Sequence, residues 1–149
     1  MSVASFARNI LLAGCGSIAY KLWSSHSRTS APLRRILAKH NTSTGPKFYN
    51  GLTNRKACAI MAQMRSGHCG LNSYLHRFGK ADSPYCECGY GKEMVQHYLL
   101  ECRKFKDQRA SLRTTLGTGR MKMEWILGHP KVALATLEYI HRTGRLQQT

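Results

Sequence analysis

The segment from Cys86 to Cys102, CECGYGKEMVQHYLLEC, places three cysteines and one histidine within 17 residues. One residue separates Cys86 from Cys88, eight separate Cys88 from His97, and four separate His97 from Cys102. Thiolate sulfur and imidazole nitrogen are the ligands of structural zinc, which takes four of them in a tetrahedron, and Cys3His is one of its usual sets. The spacing therefore predicts that Cys86, Cys88, His97 and Cys102 hold one structural Zn²⁺ ion.

Two features of this segment keep other interpretations open. On an ideal helix, residues five apart diverge by about 140°, so His97 and Cys102 reach one ion only if the helix ends or unwinds near Cys102. Cys102 also continues an apolar stripe with Val95, Tyr98 and Leu99, as a buried core thiol would. His97 alone could be a surface histidine. Four residues of ligand type in so short a segment favour the metal site.

The apolar pattern predicts a mostly α fold of short helices around a small Cys3His zinc-stapled turn. The clearest helix is TNRKACAIMAQMRSG, with Thr53 as the expected cap and Gly67 as its end. Its apolar stripe consists of Ala57, Ile60, Met61 and Met64. A further short helix, LNSYLHRFG, is expected to turn Leu71, Leu75 and Phe78 inward.

The segment RKFKDQRASLRTTLG continues the helical period beyond the metal-ligand segment. Phe105, Leu112 and Leu116 lie on one line of this predicted helix, and Lys106, Arg109 and Arg113 form a basic line beside it.

Composition divides the chain into three predicted segments. Residues 1–30 are unassigned: a weak helix to about Trp23 is followed by a polar linker, and the acid-free start is also similar to a mitochondrial presequence. Residues 31–51 are a basic linker with a short helix after Pro32, followed by the loop NTSTGPK. Residues 52–146 are the predicted helical zinc-binding domain.

The charge of the chain is strongly positive and unevenly placed. There are 23 Lys and Arg against 7 Asp and Glu, for a net charge of +16, and residues 1–81 contain 12 basic residues and no acid. Such a balance favours a polyanionic partner, RNA or DNA first and an anionic membrane second. The candidate phosphate contacts are Arg65, His68, Arg77, Lys80, Arg103, Lys106, Arg109 and Arg113, and the candidate base-stacking residues are Tyr74, Tyr85 and Tyr90.

The six cysteines favour thiolate ligands over disulfides. Cys86 and Cys88 are too close in sequence to bond each other without strain, and no convincing secretory signal is visible. An intracellular, reducing compartment is expected, the nucleus first and the mitochondrion as the alternative.

The segment MAQMRSGHCGLNSYLHRFGKADSPYCECGYGKEMVQHYLLECRKFKDQR resembles the C-terminal region of fungal non-LTR (LINE-type) retrotransposon polyproteins. There, an RTGH…LN.YLHR segment leads into DSP.C.CG…ET..H.LL.C. The resemblance covers about residues 52–146 and implies a zinc site at Cys86, Cys88, His97 and Cys102, with a longer retroelement polyprotein as a candidate partner. Met94 departs from the pattern, which often has threonine there.

The resemblance implies a parent that is an RNA-directed DNA polymerase, with RNase H where that domain is present. Both reactions need clustered carboxylates for Mg²⁺, and no two aspartates of this chain are adjacent. The chain is therefore expected to be non-catalytic, with a nucleic-acid-binding role. Two alternatives remain at this point: a degenerate retroelement reading frame without a selected function, and a small mitochondrial or membrane-associated basic protein.

Overall fold

A computed structural model describes residues 46–49, 51–52 and 54–146. The predictions for the first helix, the polar linker and the short basic helix after Pro32 concern residues outside this part of the chain. The described residues are mostly helical, and among them strand pairing is limited to one isolated antiparallel bridge between Tyr85 and Lys92. The predicted fold class, mostly α with short helices, is confirmed.

Six α-helices are present in the described ranges. They are α1 (Pro46–Tyr49), α2 (Arg55–Ser66), α3 (Asn72–His76), α4 (Lys106–Leu116), α5 (Met123–Gly128) and α6 (Ala133–Thr143). A π turn at His97–Glu101 and three 3-10 turns at Arg103–Phe105, Thr118–Arg120 and Pro130–Val132 complete the helical elements. The predicted loop NTSTGPK is wrong at its last two residues, because α1 begins at Pro46.

The start of α2 differs from the prediction by one residue. The Asn54 side chain accepts a hydrogen bond of 2.8 Å from the Lys56 N–H, so Asn54 caps the helix and the prediction of Thr53 as its cap is wrong. An asparagine amide oxygen satisfies a free N–H of the first turn as well as a threonine hydroxyl does. Gly67 ends the helix in a left-handed conformation with φ of 74°, as predicted.

The core lies between α6 and the helices that pack on it, α4, α2 and α5. Its fully buried side chains include Met61, Met64, Leu71, Tyr98, Leu99, Ile126, Leu127, Tyr139 and Ile140. Phe48 of α1 is buried in the same core, so the packed body includes a residue that precedes the predicted boundary at 52.

Phe78 does not enter this core, and the prediction that it turns inward is wrong. The helix α3 ends at His76, and Gly79 then takes a φ of 64° while the Lys80 N–H bonds back to the Leu75 carbonyl. Because the chain has left the helical path at residue 78, the helical period no longer places that side chain. Phe78 is 60% exposed.

None of the described helices combines the length and the apolar character that crossing a bilayer requires.

Candidate metal centre

A tight hairpin presents the first two thiols of the predicted site. The Cys86 N–H donates to the Gly91 carbonyl at 3.0 Å, and the Gly89 N–H donates to the Cys86 carbonyl at 3.0 Å. Gly89 and Gly91 have φ values of 74° and 77°, in the left-handed region that glycine adopts without steric cost. The hairpin thereby turns the chain around Cys86 and Cys88.

A π turn brings the other two ligands together. The Cys102 N–H donates to the His97 carbonyl at 2.7 Å, a bond between residues i and i+5 rather than i and i+4. Since the turn is one residue longer than an α turn, Cys102 returns to the side of His97 instead of pointing about 140° away. Cys102 then leaves the helix with φ of −58° and ψ of 121°. The helix therefore departs from α geometry at Cys102, as the spacing of His97 and Cys102 requires.

The ligand atoms of Cys86, Cys88, His97 and Cys102 all lie within 4.8 Å of one another. The Sγ atoms of Cys86 and Cys102 are 3.6 Å apart, and Cys88 Sγ is 3.3 Å from His97 Nε2. A zinc tetrahedron with Zn–S near 2.3 Å and Zn–N near 2.0 Å has S···S edges of about 3.8 Å and S···N edges of about 3.6 Å. The donor set and its spacing therefore fit a tetrahedral ion. Met94, where the sequence departs from the retrotransposon pattern that it resembles, is exposed and does not disturb this convergence.

The burial of the four candidate ligands also fits a structural metal site closed to solvent. Cys86, His97 and Cys102 are buried and Cys88 is half-buried. The carboxylate of Glu101 lies 3.9 Å from His97 Nδ1, on the ring nitrogen opposite the one that faces the thiols. At 3.9 Å the carboxylate is beyond hydrogen-bond distance of the ring and acts on it only through its charge.

The thiols influence one another strongly when no cation lies between them. Burial, followed by the neighbouring thiols of Cys88 and Cys102, raises the pKa of Cys86 to about 12. Burial also acts to raise the pKa of Cys88, but hydrogen bonds with the backbone at Tyr90 and Arg103 and with the side chains of Cys86 and His97 bring it down to about 6. The two neighbouring thiols thus have pKa values shifted in opposite directions. A divalent cation between them would stabilise the thiolate form of every cysteine in the group.

A buried ion pair attaches the hairpin to the rest of the fold. Glu93, 3% exposed, accepts hydrogen bonds from Arg145 Nε at 2.9 Å and Nη2 at 2.7 Å, and from the Asn72 N–H at 2.7 Å. Arg145 also donates to the Asn72 side chain at 2.9 Å, and Asn72 donates to the Tyr85 carbonyl at 3.1 Å. The hairpin, the start of α3 and the segment after α6 thus share one network. No local pattern in the sequence indicates it.

Arg109 of α4 donates hydrogen bonds to carbonyls at the end of the π turn. It is 7% exposed, and its guanidinium donates to the Leu99 carbonyl at 3.0 Å and to the Cys102 carbonyl. The Tyr139 hydroxyl donates to the Tyr98 carbonyl at 2.6 Å. The side-chain donors satisfy the Tyr98 and Leu99 carbonyls at the end of the turn, and at the Cys102 carbonyl Arg109 adds to the Phe105 N–H, which donates at 3.4 Å. Arg109, a member of the predicted basic line and a candidate phosphate contact, is buried, and its guanidinium is engaged inside the protein.

Arg65 is likewise engaged inside the protein. It is 4% exposed, its Cζ lies 3.9 Å from the centre of the Phe48 ring, and its Nη1 donates to the Tyr49 hydroxyl at 3.3 Å. Arginine pairs its long apolar stem and planar head with aromatic rings, so an apolar stripe does not exclude it. Arg65 and Arg109 therefore do not offer surface contacts to phosphate.

The remaining basic candidates lie at the surface. Arg77, Lys80, Arg103, Lys106 and Arg113 are exposed, and His68 is half-buried. Of the predicted stacking residues, Tyr85 and Tyr90 are exposed and Tyr74 is half-buried. The Arg103 guanidinium lies 4.9 Å from the centre of the Tyr90 ring, beside the metal-ligand hairpin.

Part of this chain is similar in sequence to part of a known protein. A stretch of 44 residues, 30% of this chain, is 41% identical to a Retrovirus-related Pol polyprotein from type-1 retrotransposable element R1 of Bradysia coprophila. Part of this chain is similar to a retrotransposon polyprotein. The match spans 4% of the length of that polyprotein. It supports the retrotransposon part of the resemblance and does not bear on a fungal source. No family model and no solved structure matches the chain.

Proposed function

We propose that this chain is a non-catalytic zinc-binding fragment of retrotransposon-polyprotein type that binds RNA or DNA. The observation that carries the proposal is the convergence of three thiols and one imidazole within 4.8 Å. The similarity to a retrotransposon polyprotein supports the origin, and the surface charge supports the partner.

Zinc is the metal that this donor set favours. Three sulfurs and one imidazole in a tetrahedral arrangement suit Zn²⁺, whereas oxygen ligands suit magnesium and calcium. All four positions are filled by the protein, which is the arrangement of structural zinc; catalytic zinc keeps one position for water or substrate. The ion therefore supplies folding energy by connecting the hairpin to the π turn.

The metal content of the full chain tests this part. We expect about one zinc per chain after purification with a reductant. Cys88→Ser and His97→Ala each lose the metal, whereas Cys58→Ser, a half-buried cysteine outside the cluster, keeps it. Substitution with Co²⁺ should give the visible bands of tetrahedral thiolate coordination. A wild-type chain that carries no stoichiometric metal, and whose circular dichroism is unchanged by a chelator, would refute the zinc site.

Nucleic-acid binding follows from the charge that remains at the surface once Arg65 and Arg109 are removed from the candidate set. Arg77, Lys80 and Arg103 are exposed, as are Lys106 and Arg113 on α4. Phosphate contacts of this kind release counterions, so affinity should fall steeply with salt.

Because the proposed zinc ligands must remain thiolates, a reducing, intracellular compartment is proposed, with the nucleus favoured.

Fluorescence anisotropy with labelled RNA and DNA over a series of salt concentrations tests the partner. We expect a linear fall of log Kobs with log salt concentration, and Lys106→Ala should reduce the slope by about 1. Lys122→Ala, an exposed lysine outside the candidate set, is the matched control. Binding that does not depend on salt, or no binding at low salt, would refute the nucleic-acid part and leave the zinc site intact.

A further inference from the structure

Three aromatic rings form a row on the surface around α3. The ring centres of His68 and Tyr74 are 5.2 Å apart with an interplanar angle of 33°, and those of Tyr74 and Phe78 are 5.0 Å apart at 55°. These separations lie within the range of interacting aromatic pairs. We call His68, Tyr74 and Phe78 the aromatic row.

Phe78 is the member of the row that intramolecular packing does not explain. It is 60% exposed, although its neighbour in the row, Tyr74, is only half-exposed and rests between two rings. A single exposed apolar residue is ordinary. This one lies at the end of a row of mutually tilted rings, so a further flat ring on its exposed face would lengthen the row.

The charge around the row selects the kind of ligand. Arg77 directly precedes Phe78 and is exposed, and Lys80 follows two residues later. Burial, and then the positive charge of Arg77, lower the pKa of His68, so its imidazole is neutral at neutral pH and stacks without adding repulsion. The stretch from His68 to Lys80 carries no acidic side chain of its own, and Asp82, two residues after Lys80, is the first acid in the chain. An aromatic ligand attached to a polyanion meets both requirements.

Resting on the nucleic-acid binding proposed above, we propose that the aromatic row binds the unpaired bases of single-stranded RNA or DNA. A base stacks on Phe78 and extends the row, while Arg77 and Lys80 contact the neighbouring phosphates. A base inside a duplex has both faces covered by its neighbours, so Phe78 cannot reach it. The row therefore gives the chain a preference for single strands that phosphate contacts alone do not provide.

Variants of Phe78 in the full, zinc-loaded chain test this inference. Stacking of one base on an aromatic side chain is strong enough that Phe78→Ala should raise the Kd for labelled oligo(dT) and oligo(U) about 5- to 100-fold. Affinity for a duplex of equal length should change less than about twofold. Phe78→Leu keeps apolar area without a ring and should behave like Phe78→Ala, whereas Phe78→Trp should retain affinity. Leu134→Ala, at a 63% exposed apolar residue on α6, is the matched control and should change neither affinity.

Each other outcome has a defined meaning. Salt-dependent binding that is indifferent to Phe78 overturns this inference and leaves the proposed function standing; no binding of any nucleic acid overturns both. Phe78→Leu binding single strands as the wild type does would show that apolar area rather than stacking matters, and would overturn the inference. Anionic vesicles or self-association that depend on Phe78, without a preference for single strands, would assign the row to a membrane or to a second copy instead.

Discussion

Replacing Arg109 with methionine tests whether the π turn depends on this guanidinium. The variant keeps an unbranched apolar stem but removes the guanidinium that donates to the Leu99 and Cys102 carbonyls. Leaving the Leu99 carbonyl without a donor costs about 1–3 kcal/mol. The Cys102 carbonyl keeps the Phe105 N–H at 3.4 Å but loses its hydrogen bond to a charged group, which costs about 1.5–3 kcal/mol. Methionine also removes the desolvation penalty of a buried charge, which offsets part of that cost. We expect a net loss of about 2–4 kcal/mol.

Urea unfolding at a fixed, saturating zinc concentration measures this loss. With an m-value of about 2 kcal/mol/M, the midpoint should fall by about 1–2 M. Because Arg109 holds the carbonyl of Cys102 and the proposed zinc ion would bind its thiolate, Arg109→Met should also weaken zinc binding in a competition with a chelator. A fall in both the urea midpoint and zinc affinity would indicate that the proposed metal site itself is affected. A fall in the urea midpoint alone would indicate a general loss of stability.

Arg113→Met is the matched control for Arg109→Met. Arg113 lies one turn further along α4 and is exposed, so the same change of charge should shift stability by less than about 0.5 kcal/mol. Equal urea midpoints for the two variants would show that Arg109 does not hold the end of the π turn, and the reasoning would be wrong.

Three further predictions concern the hairpin and the aromatic row. Glu93→Gln leaves Arg145 without its carboxylate partner and should lower the free energy of unfolding by about 2–4 kcal/mol, measured by urea denaturation. Gly91→Ala places a side chain at φ of 77° with its Cβ 3.9 Å from His97 Nδ1; strain without a clash should cost about 1–2 kcal/mol in the same assay. His68 should titrate below 6.5 in an NMR titration, and Arg77→Gln should raise its pKa. Because the folded pKa lies below the unfolded one, the unfolded chain binds more protons between the two values; stability is fully present above pH 6.5 and is lost as pH falls toward the folded pKa.

Each of these predictions has a control within the chain. Glu138→Gln removes an exposed carboxylate that pairs with Arg142, and should change stability by less than about 0.5 kcal/mol. Gly119→Ala, at a glycine with no positive φ and no atom near its added Cβ, should be close to neutral. A His68 pKa at or above 6.5, or one that Arg77→Gln leaves unchanged, would contradict the charge environment described for the row.

The parts of the fold that depend on local pattern could be predicted from the sequence. The helical class, the end of α2 at Gly67 and the candidate ligands all follow from residues close together in the chain. The five-residue separation of His97 and Cys102 does not bring the two side chains together on an α-helix. The sequence therefore predicts a departure from α geometry, and the π turn provides it.

The parts that depend on long-range contact could not be predicted. The helical period placed Arg109 on a polar line, but it does not say which carbonyls lie within reach of a long side chain. Arg65 enters the interior because Phe48 and Tyr49 approach it from another segment. Phe78 lies outside because the helix stops two residues earlier, and helix ends are the least certain feature of a sequence pattern.

The ion pair between Glu93 and Arg145 joins residues 52 positions apart, and this has a consequence for the order of events during synthesis. A ribosome adding about 5–20 residues per second needs about 3–10 s to travel from one to the other. The four proposed zinc ligands, by contrast, emerge together within 17 residues. A nascent chain that captures zinc early has its hairpin held by the metal throughout that interval, and the late arginine then anchors a piece that is already folded. A message interrupted after the codon for Cys102 and before that for Arg145 would yield a polypeptide with the proposed zinc ligands in place and Glu93 without its partner. We expect such a product to be recognised by proteases.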